Sequence, residues 1–350
     1  MIRHAEAEGN IYRRAHGHFN GQVIGKGFAQ IELLGERFLS ENIDAVYSSD
    51  LSRTIATAKA ISKAHGLPIN ATERLREVCM GEWEDIAWGD LIHRYPDMTG
   101  HFGHDPERWS VNGGEGYAHV KERLIDCISD LGRQHDGQSI ALVSHGFAIR
   151  ALICELMGIP SHETDLIPYC DNTAVALLLY DGSRLSIEYH GDNSHLDSET
   201  STFAYQTWWR EAVEREHEDL RYLPLDEKRD AELVELCSQE AGLMPLGNVY
   251  YASFLEDDPA GILSLDTEKG SKEGIGWVAG ICMMPGFHST QLQVQLLGQA
   301  VSEYRKQNRK KLRLEAMANT PLMTLCKQYR FKTIGHSESV SIMEKEIGLS

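Results

Sequence analysis

The sequence predicts an α/β protein in which a mostly parallel sheet flanked by helices is followed by an α+β domain. A strand-like run at 45–47 precedes apolar residues at helical spacing through Ile61. A second run, 139–143, leads through Ser144-His145-Gly146 into another helical pattern. Strand and helix patterns also return after residue 220. Alternation of this kind is typical of a parallel sheet with helices on both faces.

The predicted elements of the first 200 residues follow from local signals. Ser49 or Asp50 is predicted to cap the helix after 45–47, because both are favoured N-cap residues. Runs at 174–180 and 185–189 predict a strand pair around the turn Asp181-Gly182-Ser183.

The pattern changes near residue 200. Residues 203–216 predict a helix that carries Trp208 and Trp209, and we interpret 201–217 as a connecting helix. Beyond it, strands are predicted at 249–255, 262–265, 277–284 and 312–316, and helices at 294–304 and 321–329. A length of 350 residues favours two domains, which we place at 1–200 and 218–350.

The charge and hydropathy exclude several classes of partner. A formal net charge of −18 repels nucleic acid and anionic lipid, so a phosphate site requires a local basic pocket. No apolar run approaches the roughly 20 residues needed to span a bilayer, and no secretory signal precedes Arg3. One basic cluster is predicted to be a solvated helix end; its members are Arg305, Lys306, Arg309, Lys310, Lys311 and Arg313.

The cysteines indicate a reducing compartment. There are seven, an odd number, at irregular spacing and without a CxxC pair. We therefore predict reduced thiols in the cytoplasm, no disulfide framework and no metal site.

Several residues of the first part suit phosphoryl transfer. A phosphoryl group in transfer spreads its charge over three oxygens, which positioned cations stabilise. Arg3 and Arg53 provide guanidinium groups that bind two oxygens at once. A neutral imidazole at His4 can attack phosphorus to form a phosphohistidine. Glu77 is the candidate acid for the leaving alkoxide, and His145 follows a predicted strand, where open α/β sheets bind ligands.

These residues stand in motifs that resemble the histidine phosphatase superfamily, the phosphoglycerate mutase-like group. The motifs are RHAEAEGN, YSSDLSRTIATAKAI, LREVCMGEWED and VSHGFAIRAL, with CDNTAVALL as a weaker match near Asn172. The resemblance implies that His4 is the nucleophile and Glu77 the proton donor. It also implies a phosphate clamp, made of Arg3, Arg53 and His145 with Asn10 as an accessory ligand.

The sequence departs from that family at three places. Ala5 replaces the usual glycine, and Asn20 stands where aspartate is common. Only Met1 and Ile2 precede Arg3, so the central strand is expected to be short and to hold Arg3 and His4 loosely.

The activity predicted from this resemblance is hydrolysis of a small phosphorylated metabolite without a cofactor. The stretch LREVCMGEWED is similar to the phosphatase branch, which favours a phosphatase over a phosphoglycerate mutase-type phosphotransferase. The sequence also allows an N-acetyltransferase with a weakened phosphatase half, or a sensor in which both halves bind metabolites. It indicates neither the substrate nor the oligomeric state.

Residues 218–350 resemble the GNAT acetyltransferase family in the order of GWVAGICMMP, VQLLGQAVSEYR, LRLEAM and NTPLMTLCKQYRF. That family binds the pyrophosphate of acetyl-CoA at a glycine-containing loop before a helix. Here Gln291 and Gln293 replace the glycines, and Cys326 replaces a tyrosine acid. The remaining candidate contacts are His288, Ser289 and Asn319. We expect a degenerate module for which acetyl-CoA is a weak ligand or none; an active acetyltransferase with an unusual loop is the alternative.

Overall fold

A computed structural model describes residues 1–204, 219–241, 247–337 and 339–349. The chain forms two compact units. The first contains Met1–Ala7, His16–Glu84 and the described chain from Tyr95 to residue 204; the second contains Glu8–Ala15, Asp85–Arg94 and the described chain from residue 219 onward. Residues 205–217 of the predicted connecting helix at 201–217, including Trp208 and Trp209, lie outside the described residues. The predicted domains at 1–200 and 218–350 stay a prediction.

The helices and strands are numbered in chain order. The helices are α1 (Glu8–Ile11), α2 (Gly27–Phe38), α3 (Ser52–His65), α4 (Trp88–Arg94), α5 (Pro96–His104), α6 (Tyr117–Gln134), α7 (Gly146–Met157), α8 (Ala231–Ala241), α9 (Thr290–Lys306) and α10 (Pro321–Gln328). The strands are β1 (Ile2–Arg3), β2 (Ala45–Ser48), β3 (Ile69–Ala71), β4 (Ile140–Ser144), β5 (Val175–Tyr180), β6 (Leu185–Asp192), β7 (Leu220–Pro224), β8 (Val249–Leu255), β9 (Asp258–Asp266), β10 (Ile275–Met283), β11 (Lys311–Met317), β12 (Lys332–Ser337) and β13 (Val340–Glu346).

The first unit contains the predicted mostly parallel sheet, flanked by helices. Its strand order is β3-β2-β4-β1-β5-β6. The strands β1 to β4 are parallel where they pair, and β5 and β6 are antiparallel additions. Helices α2 and α3 bury Leu34, Phe38 and Ile61 against strand residues such as Val46 and Val143. Because β1, β2 and β4 run in the same direction, the residues that follow them share one edge of the sheet.

The first strand is short, but hydrogen bonds hold its end on both sides. Arg3 N donates to the Ala174 carbonyl at 3.2 Å, and His4 N donates to the Ser144 carbonyl at 2.9 Å. The Asn172 side chain donates to the His4 carbonyl at 2.8 Å. Contrary to the expected loose hold, the backbone of Arg3 and His4 is fixed, because β1 lies between two neighbouring strands.

The N-terminus of α3 is capped from a distant loop. Asn20 Oδ1 accepts the Ser52 N–H at 2.7 Å, whereas the N-cap residue Leu51 makes no side-chain cap bond. Asp50 instead pairs with the Arg76 guanidinium, with Nε and Oδ1 2.7 Å apart. The prediction of Ser49 or Asp50 as the cap is therefore wrong, because a loop 32 residues away supplies the acceptor.

The second unit contains an α+β arrangement, as predicted. Its strand order is β12-β13-β11-β10-β9-β8-β7, and within it β10 and β11 pair in parallel. That pairing runs from Ile275 and Lys311 to Val278 and Leu314, although both strands continue beyond it. Helix α9 follows β10 and is buried along most of its length.

A buried ion pair holds α1 in the second unit. The Arg305 guanidinium binds both carboxylate oxygens of Glu8 at 3.0 Å, and the exposed fractions of the two side chains are 9% and 1%. Lys306, its neighbour, is 61% exposed and fits the predicted solvated helix end. That prediction is wrong for Arg305, because its acidic partner lies 297 residues earlier in the chain.

A disulfide joins Cys237 on α8 to Cys282 on β10. These cysteines are 45 residues apart and lie in one apolar cluster with Leu233 and Ile262. The prediction of reduced thiols throughout is wrong at this pair, because irregular spacing does not show which cysteines the fold brings together. Reduced cysteines therefore no longer support the predicted cytoplasmic location, which stays a prediction.

Two properties of the described residues bear on binding. None of the helices in the described part of the chain is both long and apolar enough to cross a membrane. Within the same residues, no group of three or more His, Cys, Asp or Glu side chains is arranged to hold a metal ion.

Candidate active site

Two histidines meet at the carboxyl edge of the first unit's sheet. His4 follows β1 and His145 follows β4, and their ring centroids are 5.2 Å apart. Both rings are buried, with exposed fractions of 7% and 0%. Neighbouring parallel strands therefore bring together two residues that are 141 positions apart in the chain, the difference between 145 and 4.

The tautomer of His4 follows from its backbone contact. Its Nδ1 lies 2.7 Å from the Ala5 carbonyl oxygen, which can only accept a hydrogen bond. We therefore assign the proton to Nδ1, which leaves the lone pair of Nε2 available.

The surroundings of both rings favour the neutral imidazole. Burial, followed by the positive charges of Arg53 and Arg3, holds the pKa of His4 well below its ordinary value. Burial and the charge of Arg53 do the same for the pKa of His145. At neutral pH, His4 is therefore an uncharged nitrogen base beside two cations.

Arg53 is held by the loop that follows Ala15. Its guanidinium donates to the Phe19 carbonyl at 2.9 Å and to the Gly17 carbonyl at 2.7 Å. Gly17 has a φ of +48°, and a Cβ there would lie 2.8 Å from the Met80 nitrogen. Burial lowers the pKa of Arg53 to about 10, so the group is still charged at neutral pH. The family motifs do not include this loop, although Gly17 and Asn20 are turn signals in the sequence.

Arg3 lies beside the start of α7. Its Nη1 donates to the Cys170 carbonyl, and the Phe203 ring centroid lies 5.7 Å from its Cζ. A Cβ on Gly146 would lie 3.1 Å from Nε of Arg3, tighter than ordinary contact, so glycine lets the guanidinium lie against the backbone. Arg3 is 7% exposed.

His145 has one ring nitrogen fixed and one available. Its Nε2 lies 2.9 Å from Ser49 Oγ, which in turn accepts the Leu51 N–H at 3.4 Å. Its Nδ1 is buried and has no hydrogen-bond partner among the described residues. With the serine hydroxyl donating to Nε2, Nδ1 carries a proton that can be donated to a phosphate oxygen.

The Glu77 carboxylate lies at the N-terminus of α7. Its Oε1 accepts the N–H groups of Val78 at 3.0 Å and Ala148 at 2.8 Å, and Oε2 accepts that of Phe147 at 3.1 Å. Its charge acts on the guanidinium groups of both Arg3 and Arg53. Within the first unit, the structure thus gathers the predicted nucleophile, acid and clamp residues around one point.

Arg123 holds the segment that carries Glu77, and the sequence analysis missed it. Its guanidinium pairs with Glu115, donates to the Arg76 carbonyl at 2.8 Å and donates to the Glu77 carbonyl at 3.0 Å. His18 Nε2 also donates to the Glu77 carbonyl at 2.8 Å. Nothing in the local sequence pattern around Arg123 indicates this role.

Residues 1–193, which include His4, Arg53, Glu77 and His145, match the family model of the histidine phosphatase superfamily (branch 1). The chain belongs to the histidine phosphatase superfamily. The match covers more than half of the 350 residues. All the residues of the candidate site in the first unit lie within it.

Several proteins are similar to this member of the histidine phosphatase superfamily. It is 29% identical over 182 residues to phosphoserine phosphatase 1 of Hydrogenobacter thermophilus, a match that spans 51% of this chain and 84% of that one. It is 29% identical over 203 residues to the probable phosphoglycerate mutase GpmB of Salmonella choleraesuis, spanning 57% and 94%. The solved structure of YhfR from Bacillus stearothermophilus matches with a TM-score of 0.54 at 27% identity, covering 55% and 96%. These matches support a phosphatase or mutase activity and a phosphoglycerate mutase-like fold.

A buried carboxyl group lies two residues beyond His4, the predicted nucleophile. Glu6 is 1% exposed, and burial raises its pKa to about 7 against the opposing charge of Lys26. Its backbone N–H donates to Gln30 Oε1 at 2.8 Å, and Gln30 donates to Thr202 Oγ1 at 2.9 Å. Glu6 is therefore part of the packing beneath the site.

Replacing Glu6 by glutamine is expected to change how stability depends on pH. The unfolded chain loses this proton near pH 4.5 and the folded chain near pH 7, so the folded state loses stability as the pH rises through that window. As the pH rises from about 4.5 to about 7, the free energy of unfolding of Glu6→Gln should increase by about 3 kcal/mol relative to that of the original protein. Urea unfolding at several pH values measures this, with the exposed Glu32→Gln as control. An equal pH dependence in both proteins would contradict the assignment.

Asn10, the predicted accessory ligand, lies in α1. That segment belongs to the second unit, whereas His4 belongs to the first. Its proposed contact with phosphate therefore stays a prediction.

The residues predicted to contact acetyl-CoA lie in the second unit. His288, Ser289 and Gln291 are exposed around the start of α9, whereas Gln293 is 8% exposed. Asn319 is exposed and follows β11 with a φ of 61°. Cys326 on α10 has an exposed fraction of 0%. The structure thus places Cys326 in the core, away from solvent.

Proposed function

We propose that this protein hydrolyses a small phosphomonoester through a phosphohistidine formed on Nε2 of His4. The observation that carries the proposal is the bond between His4 Nδ1 and the Ala5 carbonyl, at 2.7 Å. It directs the lone pair away from the backbone, in a site where burial and two arginines keep the ring neutral. A neutral, oriented imidazole is what a nucleophile for phosphorus requires.

In the first step, the Nε2 lone pair of His4 forms a bond to phosphorus, and the bond between phosphorus and the ester oxygen breaks. The protonated Glu77 carboxyl donates its proton to the leaving alkoxide, which departs as the alcohol. Oε2 is the better placed oxygen for that proton, because it accepts one backbone N–H, whereas Oε1 accepts two.

In the second step, water attacks the phosphohistidine. The Glu77 carboxylate removes a proton from the water as the oxygen bonds to phosphorus. The bond between phosphorus and Nε2 breaks, and inorganic phosphate leaves with His4 neutral again. Glu77 ends protonated, ready for the next ester.

The proposed clamp neutralises the charge on the transferring group. Arg3 and Arg53 are both buried and oriented by backbone carbonyls, so little reorganisation is needed when charge develops. His145 adds a neutral donor through Nδ1. We assign Asn10 an accessory contact with the same phosphate.

The proposed substrate is a small phosphorylated metabolite, and phosphatase is favoured over mutase. The similarity to a phosphoserine phosphatase supports hydrolysis, and the similarity to a probable phosphoglycerate mutase keeps phosphoryl return as the competing outcome. Both activities share the phosphohistidine. They differ in whether water or a second hydroxyl group takes the phosphoryl group.

The proposal predicts that the original protein releases phosphate from para-nitrophenyl phosphate and that His4→Ala does not. The loss should reach at least about a thousandfold in kcat, because no other nucleophile replaces the imidazole. O-phosphoserine and 3-phosphoglycerate test which class of phosphate ester is the natural substrate. Formation of 2-phosphoglycerate from 3-phosphoglycerate would indicate a mutase. Turnover by His4→Ala equal to that of the original protein would contradict the proposal.

We also propose that the GNAT-like half does not use acetyl-CoA. Three observations in the second unit argue against a fit. Ser289 Oγ accepts the Leu292 N–H at 3.1 Å, so a side chain already satisfies a donor that a phosphate would need. Gln291 and Gln293 stand where glycine would let the backbone approach. Burial raises the pKa of the Cys326 thiol to about 12, which does not suit a catalytic acid.

Calorimetric titration of the full chain with acetyl-CoA tests this second proposal. We expect no binding in the micromolar range, because Ser289 already satisfies the Leu292 N–H at the helix end and two glutamines stand in the loop. A Gln291→Gly, Gln293→Gly double variant serves as a comparison, since it restores room for a phosphate. Micromolar binding by the original protein would contradict the proposal and favour an acetyltransferase or a metabolite sensor.

A further inference from the structure

A small cavity lies beside Arg3, within the first unit. Its free volume is about 20 Å³. Its lining includes the apolar side chains of Ile149 and Ile153 from α7 and of Ala176 from β5, together with the polar residues Arg3, Arg150 and His190. A cavity needs roughly 10–15 Å³ to hold one water molecule, so this one has room for a single water and not for an organic ligand.

Two buried polar atoms belong to residues that line this cavity. They are Nε of Arg3 and Nδ1 of His190, and neither has a hydrogen-bond partner in the described part of the chain. Buried polar atoms without a partner are rare in folded proteins, and an ordered water commonly satisfies them. Arg3 Nε–H can donate to a water oxygen, and that water can donate to His190 Nδ1 in its neutral form.

The backbone near the end of β6 brings His190 into this region. Gly191 has a φ of +75°, and a Cβ there would lie 2.8 Å from Cys170 Sγ. The Cys170 carbonyl in turn accepts a hydrogen bond from Arg3 Nη1. Cys170 therefore lies between the end of β6 and the Arg3 guanidinium and is close to both.

The other sides of the guanidinium already have neighbours. Gly146 lies against it, the Phe203 ring lies near its Cζ, and Cys170 fixes Nη1. Nε is a buried edge of the guanidinium that makes no hydrogen bond with the described residues. A rotation about this edge would move Nη2, the nitrogen left to face a phosphate, and a displacement of about 1 Å can cost a hundredfold in rate.

We propose that an ordered water in this cavity bridges Arg3 Nε and His190 Nδ1, and that His190 is a positioning residue for Arg3. The role in catalysis rests on the proposed phosphate clamp. The water itself does not, because it follows from the cavity and the two buried atoms. His190 touches no reacting atom and acts through Arg3.

Binding of orthovanadate and of inorganic phosphate tests the role of His190. His190→Leu removes the acceptor, so the dissociation constant of orthovanadate, which mimics the transferring group, should rise about tenfold. The dissociation constant of phosphate should change by less than about threefold, because phosphate does not resemble the transition state and depends less on the exact position of Arg3. His190→Gln supplies an acceptor and should restore vanadate binding. Ala176→Val fills the cavity, keeps His190 and should reproduce the loss.

Tyr189→Leu is the matched control, because Tyr189 is the preceding residue of β6 and is 39% exposed. It should bind vanadate as the original protein does. The proposal is overturned if His190→Leu binds vanadate normally, or if His190→Gln is no better than His190→Leu. It is also overturned if phosphate and vanadate weaken together with the melting temperature, which would indicate a structural role alone.

A high-resolution crystal structure separates this proposal from the proposed function. Density for a water within hydrogen-bond distance of both nitrogens supports the bridge even if no phosphate ester is hydrolysed. A dry cavity, or a water bonded to neither nitrogen, overturns it even if the protein is an active phosphatase.

Discussion

Glu77→Gln is expected to lower kcat for an alkyl phosphate such as O-phosphoserine by about 10²–10⁴-fold. Glutamine cannot protonate the leaving alkoxide, and it cannot take a proton from water in the second step. It can still accept the backbone N–H groups of Val78 and Ala148 through its carbonyl oxygen, and only the Phe147 N–H loses its acceptor, so the fold around α7 should be kept. Steady-state kinetics with phosphate release as the readout measures the effect.

The leaving group gives a sharper form of this prediction. Nitrophenolate leaves without a proton, so Glu77→Gln should still release a burst of about one nitrophenol per protein from para-nitrophenyl phosphate. Turnover should then be slow, because the phosphohistidine lacks a base for its hydrolysis. Glu82→Gln, an exposed carboxylate in the same motif, should behave like the original protein. Unchanged phosphoserine turnover by Glu77→Gln would exclude Glu77 as the proton donor.

Arg305→Met is expected to lower the free energy of unfolding by about 3–5 kcal/mol. The substitution keeps most of the apolar packing but takes away the guanidinium that binds both oxygens of the Glu8 carboxylate, which is 1% exposed. Because Glu8 and α1 are part of the second unit, the loss should appear in the unfolding of that unit. Urea denaturation followed by circular dichroism measures it.

A double variant distinguishes an ion-pair effect from lost packing. Glu8→Leu combined with Arg305→Met removes both charges, and it should recover most of the loss. Lys306→Ala is the control on the neighbouring position, since the Lys306 side chain is 61% exposed, and its stability should be unchanged. If the double variant were as unstable as Arg305→Met alone, the buried charge would not be the cause.

The sequence predicts the part of the site that short segments encode. Arg3-His4, Glu77 and Ser144-His145-Gly146 are local motifs, and the third of them begins at the end of β4, whose apolar run is visible in the chain. Strands β2 and β4 and helix α7 appear where the apolar pattern predicts them. The parallel sheet then brings the ends of β1 and β4 together, so the closeness of His4 and His145 follows from the fold class.

The features that the sequence does not predict are contacts between distant residues. Asn20 caps α3, Arg123 holds the Glu77 segment, and Cys237 bonds to Cys282. Each involves partners at least 32 positions apart, and neither periodicity nor propensity carries information over that separation. The pairing of Arg305 with Glu8 has the same origin. A cluster of basic residues in a sequence is typical of a solvated surface, and the sequence does not show that the fold places an acidic side chain beside one of them.

The most direct test of the central claim is the position of the covalently bound phosphate. Glu77→Gln is mixed with para-nitrophenyl phosphate, quenched in alkali because phosphohistidine is acid-labile, and digested for mass spectrometry. The proposed mechanism predicts a phosphate on His4, lost on acid treatment and absent from a His4→Ala, Glu77→Gln variant. Phosphate on another side chain, or sustained turnover with His4 unmodified, would contradict it.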